Sequence, residues 1–281
     1  MPRILVVNDD GIDSEGIAVL ARTLQALGDV TVVAPDGDRS GTSHSISVHT
    51  AVRAQAMPGE GGLRRYACSG TPADCVLLGV NELCGGRPDI VVSGINRGAN
   101  LADDVNYSGT VAAAVESTIV GIPAIAVSLV SSWPKHDPVH YWEGAATVAR
   151  DLAADVLRDP PPPGTYWNVN VPNLAELRGT RFTRLGRKQY AERLARVEGD
   201  AQNPEVSYYW VWDMSHLGGG DDTDTVAVDA GYASITPLKI DRTDEPTLHH
   251  HVMKQSHRNP AVIPSGAPQG AESRNHPNDR R

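Results

Sequence analysis

Arg3-Ile4-Leu5-Val6-Val7-Asn8-Asp9-Asp10-Gly11 is the stretch whose reading decides the fold. The unbroken apolar run from Ile4 to Val7, rich in β-branched residues, marks a short strand buried on both faces. It stops at two adjacent carboxylates. Successive side chains on a strand point to opposite faces, so Asp9 and Asp10 converge only if the chain turns at once, and Gly11 permits that turn. Two unit charges ~4 Å apart repel by about 4 kcal/mol near a protein surface, so such a pair invites a shared proton or a divalent cation. The same letters also make an ordinary Asp-Gly turn, and the surrounding chain has to decide.

Beyond Gly11, residues Ile17, Leu20, Ala21, Leu24 and Leu27 fall on one helical face, with Asp13 or Ser14 available as N-cap and Gly28 past the end. Residues 30–34 then read as a second strand parallel to the first. A βαβ unit of this kind brings both strand ends to one edge of the sheet. There Ala34-Pro35-Asp36 enters Gly37-Asp38-Arg39-Ser40-Gly41-Thr42-Ser43-His44-Ser45, too small and polar to join a core. Its hydroxyls and amides suit an oxyanion or a hard cation, unless it is only a flexible connection.

Residues 46–52 and 64–68 carry strand patterns around a turn at Pro58-Gly59, and Thr71-Pro72-Ala73-Asp74 has the N-cap, first-position proline and third-position acid of a helix reaching Leu83. Residues 88–93 form another buried apolar strand, ending in Ser93-Gly94-Ile95-Asn96-Arg97-Gly98-Ala99-Asn100. If it too runs parallel to the first, Asn96 reaches the edge that holds Asp9, and its amide oxygen becomes a candidate hard-metal ligand. Tyr107-Ser108-Gly109-Thr110 then leads into Val111-Ala112-Ala113-Ala114-Val115, a helix apolar on nearly every side and therefore buried. Its N-terminus offers free amides, the positive end of the helix dipole and the Ser108 and Thr110 hydroxyls, an anion site suited to phosphate. Either hydroxyl can equally cap the helix. Gly121-Ile122-Pro123 ends it, followed by a strand at 124–129, a helix at 141–157 and a strand at 167–172.

After residue 186 the character changes. A charged segment precedes Val206-Ser207-Tyr208-Tyr209-Trp210-Val211-Trp212 and a Gly218-Gly219-Gly220 loop. A chain with 5 Trp, 8 Tyr and 1 Phe concentrates four rings here, which reads as an extended arm or hairpin whose aromatics meet a second subunit. Residues 226–228 and 232–238 return to strand pattern. The expected fold is therefore α/β, a mostly parallel sheet with helices on both faces, plus a C-terminal β-hairpin arm used in oligomerisation. Its divisions are a catalytic core at 1–186, the arm and returning strands at 187–254, and a disordered Pro, Asn, Ser, Gly and Arg-rich tail at 255–281. His249-His250-His251 reads as solvated surface.

The balance of 25 basic against 34 acidic residues, net charge -9, with no basic stripe, argues against a nucleic-acid partner. Cys68, Cys75 and Cys84 fit neither a disulfide framework nor a zinc site and read as small core residues in a reducing compartment. With no signal-peptide pattern and no apolar run long enough to span a bilayer, a cytoplasmic protein without membrane contact is expected.

Three strand ends and one helix N-terminus thus supply two carboxylates, hydroxyls, an amide and backbone donors at the edge where open α/β sheets bind ligands. Oxygen donors without His or Cys favour Mg or Mn over Zn, and a metal beside an anion-binding helix is equipment for phosphate-ester hydrolysis. Five ordered segments, Asn8-Asp9-Asp10-Gly11-Ile12, Ala34-Pro35-Asp36 with Arg39-Ser40-Gly41, Ser93-Gly94-Ile95-Asn96, Tyr107-Ser108-Gly109-Thr110-Val111 and Ser234-Ile235-Thr236-Pro237-Leu238, resemble the SurE family of survival-protein nucleotidases. The resemblance runs from residue 3 to about 240. It implies a metal-dependent phosphatase acting on nucleoside 5'- and 3'-monophosphates, with a Rossmann-like core, one Mg or Mn per subunit and a homodimer or tetramer built through exchanged C-terminal segments. By position it makes Asp9, Asp10, Ser40 and Asn96 the metal ligands, with Asp9 and Asp10 catalytic. It places Gly41, Thr42, Asn96, Ser108, Gly109 and Thr110 around the phosphate.

The alternative within phosphatases is a broader enzyme acting on short polyphosphate or sugar phosphates. A receiver domain would need a phosphorylatable Asp and a Lys at later strand ends, where Ser93-Gly94-Ile95-Asn96 and Ser128-Leu129 stand instead. A dinucleotide-binding dehydrogenase would need G-x-G-x-x-G after the first strand, which is absent.

Overall fold

In the computed structural model the apolar run becomes β1 (Arg3–Val7), every residue of which beyond Arg3 is buried. The structure describes residues 1–59, 61–131, 139–188, 195–197, 206–210 and 217–258. In chain order β1 is followed by α1 (Glu15–Leu24), β2 (Asp29–Pro35), β3 (Ala54–Met57), β4 (Arg64–Cys68), α2 (Pro72–Leu78), β5 (Ile90–Arg97), α3 (Gly109–Ile119), β6 (Ala124–Val130), α4 (Trp142–Arg158) and β7 (Thr165–Pro172). Then come β8 (Thr180–Phe182), β9 (Arg187–Lys188), β10 (Ala195–Val197), β11 (Tyr208–Trp210), β12 (Leu217–Gly218), α5 (Asp224–Asp229), β13 (Ala233–Lys239) and α6 (Glu245–Arg258).

The main sheet has nine strands in the order β3-β4-β2-β1-β5-β6-β7-β13-β8. From β4 to β7 neighbours run parallel, so the ends of β1, β2 and β5 reach one edge as the βαβ reading required. β3 is antiparallel to β4 and β13 is antiparallel to β7, closing the two flanks. Helices cover both faces. Ile17, Leu20 and Leu24 of α1 and Ala145, Ala149 and Leu152 of α4 pack on one, while Cys75 and Val76 of α2 and Val111, Ala113 and Ala114 of α3 pack on the other. The three cysteines are buried and unbridged, as small core residues should be.

Local chemistry explains the element boundaries. Thr71 and Asp74 make the expected capping box at the start of α2, with Pro72 in the first turn. A π-helical turn at Gly79–Leu83 continues α2, and a side chain on Gly79 would sit 2.6 Å from Leu5 Cδ2, so the glycine lets this turn lie on β1.

Two strand expectations are corrected. Residues 46–52 are not a strand; β3 begins at Ala54, because Ser47 is bound through its N–H and hydroxyl to the Asp74 carboxylate and the Thr71 hydroxyl donates to Ser45 O. Ile46 and Val48, whose alternation suggested a strand, stand 50% and 69% exposed. Residues 226–228 belong to α5, with Ala227 and Val228 buried.

Met1–Ile240 form one compact unit and Asp241–Arg281 a second. β13, from the expected returning strands, is an integral strand of the main sheet. Within the second, α6 carries His249, His250 and His251, all exposed, and runs to Arg258, past the expected start of the tail at 255. The rest of the tail lies outside the described residues, as does Trp212. In the arm region β10 pairs antiparallel with β11, and β12 with β9.

Candidate active site

The turn after β1 is built by Asn8. Its Nδ2 donates to Gly11 O at 3.0 Å and to Ser14 Oγ at 2.7 Å, and its Oδ1 accepts from Gly11 N at 3.2 Å. Gly11 adopts φ 103°, which side-chain-bearing residues rarely reach. The turn lets the two neighbouring carboxylates reach different partners.

Asp9 is 3% exposed, and Thr110, itself fully buried, donates its hydroxyl to Asp9 Oδ1. Burial pushes the Asp9 carboxyl above the usual carboxylate range, against the opposing pull of the Thr110 hydroxyl. The Asp9 carbonyl accepts from Arg39 N at 2.8 Å, joining the turn to the loop after β2. Asp10 is half-buried, and its Oδ2 accepts from Arg97 N at 3.0 Å, joining the turn to the end of β5. The first two acids of the chain therefore tie together the ends of β1, β2 and β5 and the N-terminus of α3.

Asn96 reaches this group by an irregularity in β5. Ser93 pairs with Ala126 and Asn96 pairs with Ser128, so three steps along β5 match two along β6. Paired residues share a face, and the extra residue therefore returns Asn96 to the side of the sheet that Ser93 and Ala126 face. That is the α3 side, where Ala126 packs with Val111 and Ala113. Gly94 makes the bulge possible, with φ 139° and no room for a Cβ, which would sit 2.4 Å from Val127 O. Asn96 donates its Nδ2 to Gly98 O at 3.0 Å.

At α3, the Ser108 hydroxyl caps the helix, accepting from Val111 N at 3.0 Å. Gly109 lies so close to the first carboxylate that a Cβ would come 2.8 Å from Asp9 Cβ and 2.9 Å from Asp9 Oδ2. The two hydroxyls expected around a phosphate thus have protein partners here, Ser108 on the helix amide and Thr110 on Asp9. Gly109 brings backbone, with no side chain in between, against the carboxylate.

The loop after β2 lies alongside. Ser40 donates both N–H and hydroxyl to Asp38 Oδ1, at 2.8 and 2.5 Å, and the Thr42 hydroxyl donates to Arg39 O at 2.8 Å, while Gly41 sits exposed at φ 71°. Ser43 anchors the loop to the segment before α3, through its N–H to Tyr107 O at 3.1 Å and its hydroxyl to Asn106 O at 2.7 Å. His44 Nε2 then meets Glu116 Oε2 at 2.7 Å on α3. The segment before α3 has its own anchors in the buried Asp104–Lys188 ion pair and in Asp224, whose carboxylate accepts from Ala102 N at 2.9 Å and Gly186 N at 2.7 Å.

Every residue expected at the site lies on one of these four joined segments. Sequence reasoning missed Asp38, which holds Ser40, and the Asn168/Asn170 pair, whose carboxamides bond the backbone of Asn100 just after Asn96. For the latter a signal existed, since two asparagines at a spacing of two in an apolar strand put two amides on one buried face. Among the described residues no three His, Cys, Asp or Glu side chains gather as a metal cluster. The donors here are two carboxylates, a hydroxyl and a carboxamide, an all-oxygen set suited to a hard cation.

A family model described as "Survival protein SurE" matches residues 4–192. Among curated relatives, "5'-nucleotidase SurE" of Nitrosococcus oceani is 48% identical over 86% of this chain and 92% of its own length. "5'/3'-nucleotidase SurE" of Cronobacter sakazakii is 46% identical over 86% and 91%. The crystal structure of the SurE protein from Aquifex aeolicus superposes with a TM-score of 0.76 at 38% identity, covering 90% of this chain and all of that one. With the matched model spanning β1 to β9 and relatives this similar along nearly their whole length, the chain belongs to the SurE survival-protein family.

Proposed function

We propose that this protein is a metal-dependent phosphatase that hydrolyses nucleoside 5'- and 3'-monophosphates to nucleoside and phosphate. The observation that carries this reading is the way Asp9 and Asp10 tie the metal-type oxygen donors to the N-terminus of α3. A carboxylate pair alone would repel a phosphomonoester. Placed against the positive end of a helix, it becomes a site for a cation and an anion together.

Asp9, Asp10, Ser40 and Asn96 would hold one Mg or Mn. The all-oxygen donors fit such an ion, and Gly109 leaves open the space beside Asp9 Oδ2 that a Cβ would fill. Bound there, the metal neutralises phosphoryl oxygens and acidifies water. The chain's own groups do the rest. The Gly109 amide at the start of α3 and the amides of the Gly41-Thr42 turn would receive the phosphate oxygens. Thr110 and Arg97 N hold the two carboxylates in fixed orientations, and Asp10, the more exposed of them, orients a water in line with the ester bond. The water oxygen bonds to phosphorus, the bond from phosphorus to the nucleoside oxygen breaks, and the proton that the attacking water gives up is the one the leaving oxygen gains.

Tyr208 and Tyr209, each 51% exposed on β11, support assembly as a homodimer or tetramer through the arm. No helix among the described residues is long and apolar enough to cross a membrane, which is consistent with action in the cytoplasm. The deciding test is phosphate release from a panel of nucleoside 5'- and 3'-monophosphates, sugar phosphates and short polyphosphate, with and without chelator. Release from the nucleotides that chelator abolishes is expected. Activity undiminished by chelator removes the metal, and preference for polyphosphate or sugar phosphate removes the nucleotide.

A further inference from the structure

The chain leaving Asn96 comes back onto the sheet four residues later. Asn100, 5% exposed, is held there by side chains standing in for a neighbouring strand. Its N–H donates to Asn170 Oδ1 at 2.8 Å, and its carbonyl accepts from Asn170 Nδ2 at 3.0 Å and from Asn168 Nδ2 at 2.9 Å. Its own carboxamide donates to Ser128 Oγ at 2.7 Å. Asn168, Asn170 and Ser128 are all fully buried. Ser128 is also the register partner of both Asn96 on β5 and Asn170 on β7, so the three lie in one row across the sheet.

This clamp has a direct line to the site. Holding Asn100 fixes the turn that contains Gly98, whose N–H is bonded to Leu129 O at 3.0 Å and whose carbonyl receives Asn96 Nδ2. A carbonyl can only accept, so it selects the NH2 end of the Asn96 carboxamide and turns Oδ1, the end able to bind a cation, the other way. A loosened turn would let the amide rotate and present its donor end instead.

We propose that Asn170, assisted by Asn168, is a positioning residue for Asn96: by clamping the Asn100 peptide it fixes the carboxamide orientation that makes Asn96 a metal ligand. The inference rests on the proposed metal site and adds to it a buried support from the far side of β6. A carboxamide that satisfies both the N–H and the C=O of one residue constrains that residue's plane as well as its position.

The test is Mn2+ binding followed by titration calorimetry on the full chain, with thermal unfolding of each variant in chelator as a separate readout. Wild type is compared with Asn170→Ala, Asn96→Ala and the double variant. Asn170→Ala is expected to weaken Mn2+ binding by about tenfold or more while the protein remains folded. Added to Asn96→Ala it should cost little further affinity, because both changes remove the same ligand. If Asn170→Ala does not fold, Asn168→Ala, which leaves the carbonyl one of its two donors, is measured in its place, with a smaller loss expected along the same cycle. Unchanged Mn2+ affinity in a variant that merely melts earlier, or losses that add fully in the double variant, would overturn the inference and leave the metal site standing. Failure of the wild-type protein to bind Mn2+ would overturn both.

Discussion

The Thr110 hydroxyl donates to Asp9 Oδ1 across 101 residues of sequence, from the first turn of α3 to the turn after β1. Both side chains are buried, so this bond orients a desolvated carboxylate. Thr110→Val keeps the shape and removes the donor, which costs about 1–3 kcal/mol where a buried acceptor loses its partner. Divalent-metal affinity is expected to fall roughly 10- to 100-fold. Thr110→Ser should restore most of it. Calorimetric Mn2+ titration of the two variants is the check; a loss confined to nucleotide KM would place the hydroxyl on the substrate instead.

Gly109 is defined by the same carboxylate. A Cβ there would stand 2.8 Å from Asp9 Cβ, and neither atom is at the end of a flexible side chain. Gly109→Ala is therefore expected to displace Asp9 or the start of α3 and to lower kcat/KM at least tenfold, roughly 1.4 kcal/mol in transition-state stabilisation. The far-ultraviolet spectrum should stay unchanged. Full activity in the alanine variant would show that the turn after β1 gives way freely.

Much of this site was legible because its signals are local. The apolar run of β1, the polar ending after Val7, the proline and cap at Thr71-Pro72 and the small residues after Thr110 each report their own element, and parallel topology then gathers the strand ends. What could not be read depends on distant contacts. Strict alternation would set Asn96 opposite Ser93, and only the bulge at Gly94, fitted against Val127 O, returns it to the α3 face. Ile46 and Val48 alternate like a strand, yet Asp74, 27 residues beyond Ser47, claims the segment through side-chain bonds. Val226-Ala227-Val228 is too short for periodicity to separate strand from helix.

Asp9→Asn and Asp10→Asn should each abolish turnover with the fold intact. For Asp9 the structure adds a sign. Burial disfavours its charge, and an asparagine carbonyl still accepts the Thr110 hydroxyl. In chelator, Asp9→Asn is expected to melt roughly 2–4 °C above wild type, equivalent to about 1 kcal/mol. Differential scanning calorimetry with and without Mn2+ measures this, and the order should reverse when metal is present, since wild type alone gains binding energy. A variant that melts lower in chelator would mean that the charge stabilises the empty site.

Asp74 governs acid stability at the strap over α2. Burial pushes its carboxyl up, but the N–H groups of Ser47 and Thr71, at 3.0 and 2.8 Å, and the Ser47 hydroxyl at 2.7 Å outweigh this and hold it below the ordinary value of 3.8. A depressed folded pKa contributes stability that is complete above the unfolded value and lost as pH falls through the folded one. Wild type should therefore exceed Asp74→Asn by on the order of 1 kcal/mol at neutral pH, the usual worth of a helix cap. The gap should close below pH 3.8, and urea unfolding at a series of pH values follows it. A gap that persists in acid would assign the effect to packing.

The arm gives the last prediction. Tyr208 and Tyr209 are each 51% exposed on β11, paired antiparallel with Val197 and Arg196 of β10. Successive residues of a strand face opposite sides, so the two rings leave both faces of this two-stranded ribbon with an aromatic surface half in water, which the ribbon cannot bury by itself. A second copy of the chain would cover it, and truncating an aromatic anchor at such an interface commonly costs on the order of 2 kcal/mol or more. Tyr208→Ala combined with Tyr209→Ala is expected to shift the sedimentation profile toward smaller species. Mn2+ binding at Asp9 and Asp10 should persist, because the Thr110 hydroxyl and the Arg97 N–H that hold these two carboxylates lie on α3 and β5, away from the arm in sequence. An unchanged assembly with lower thermal stability would instead mean that the rings pack within their own chain.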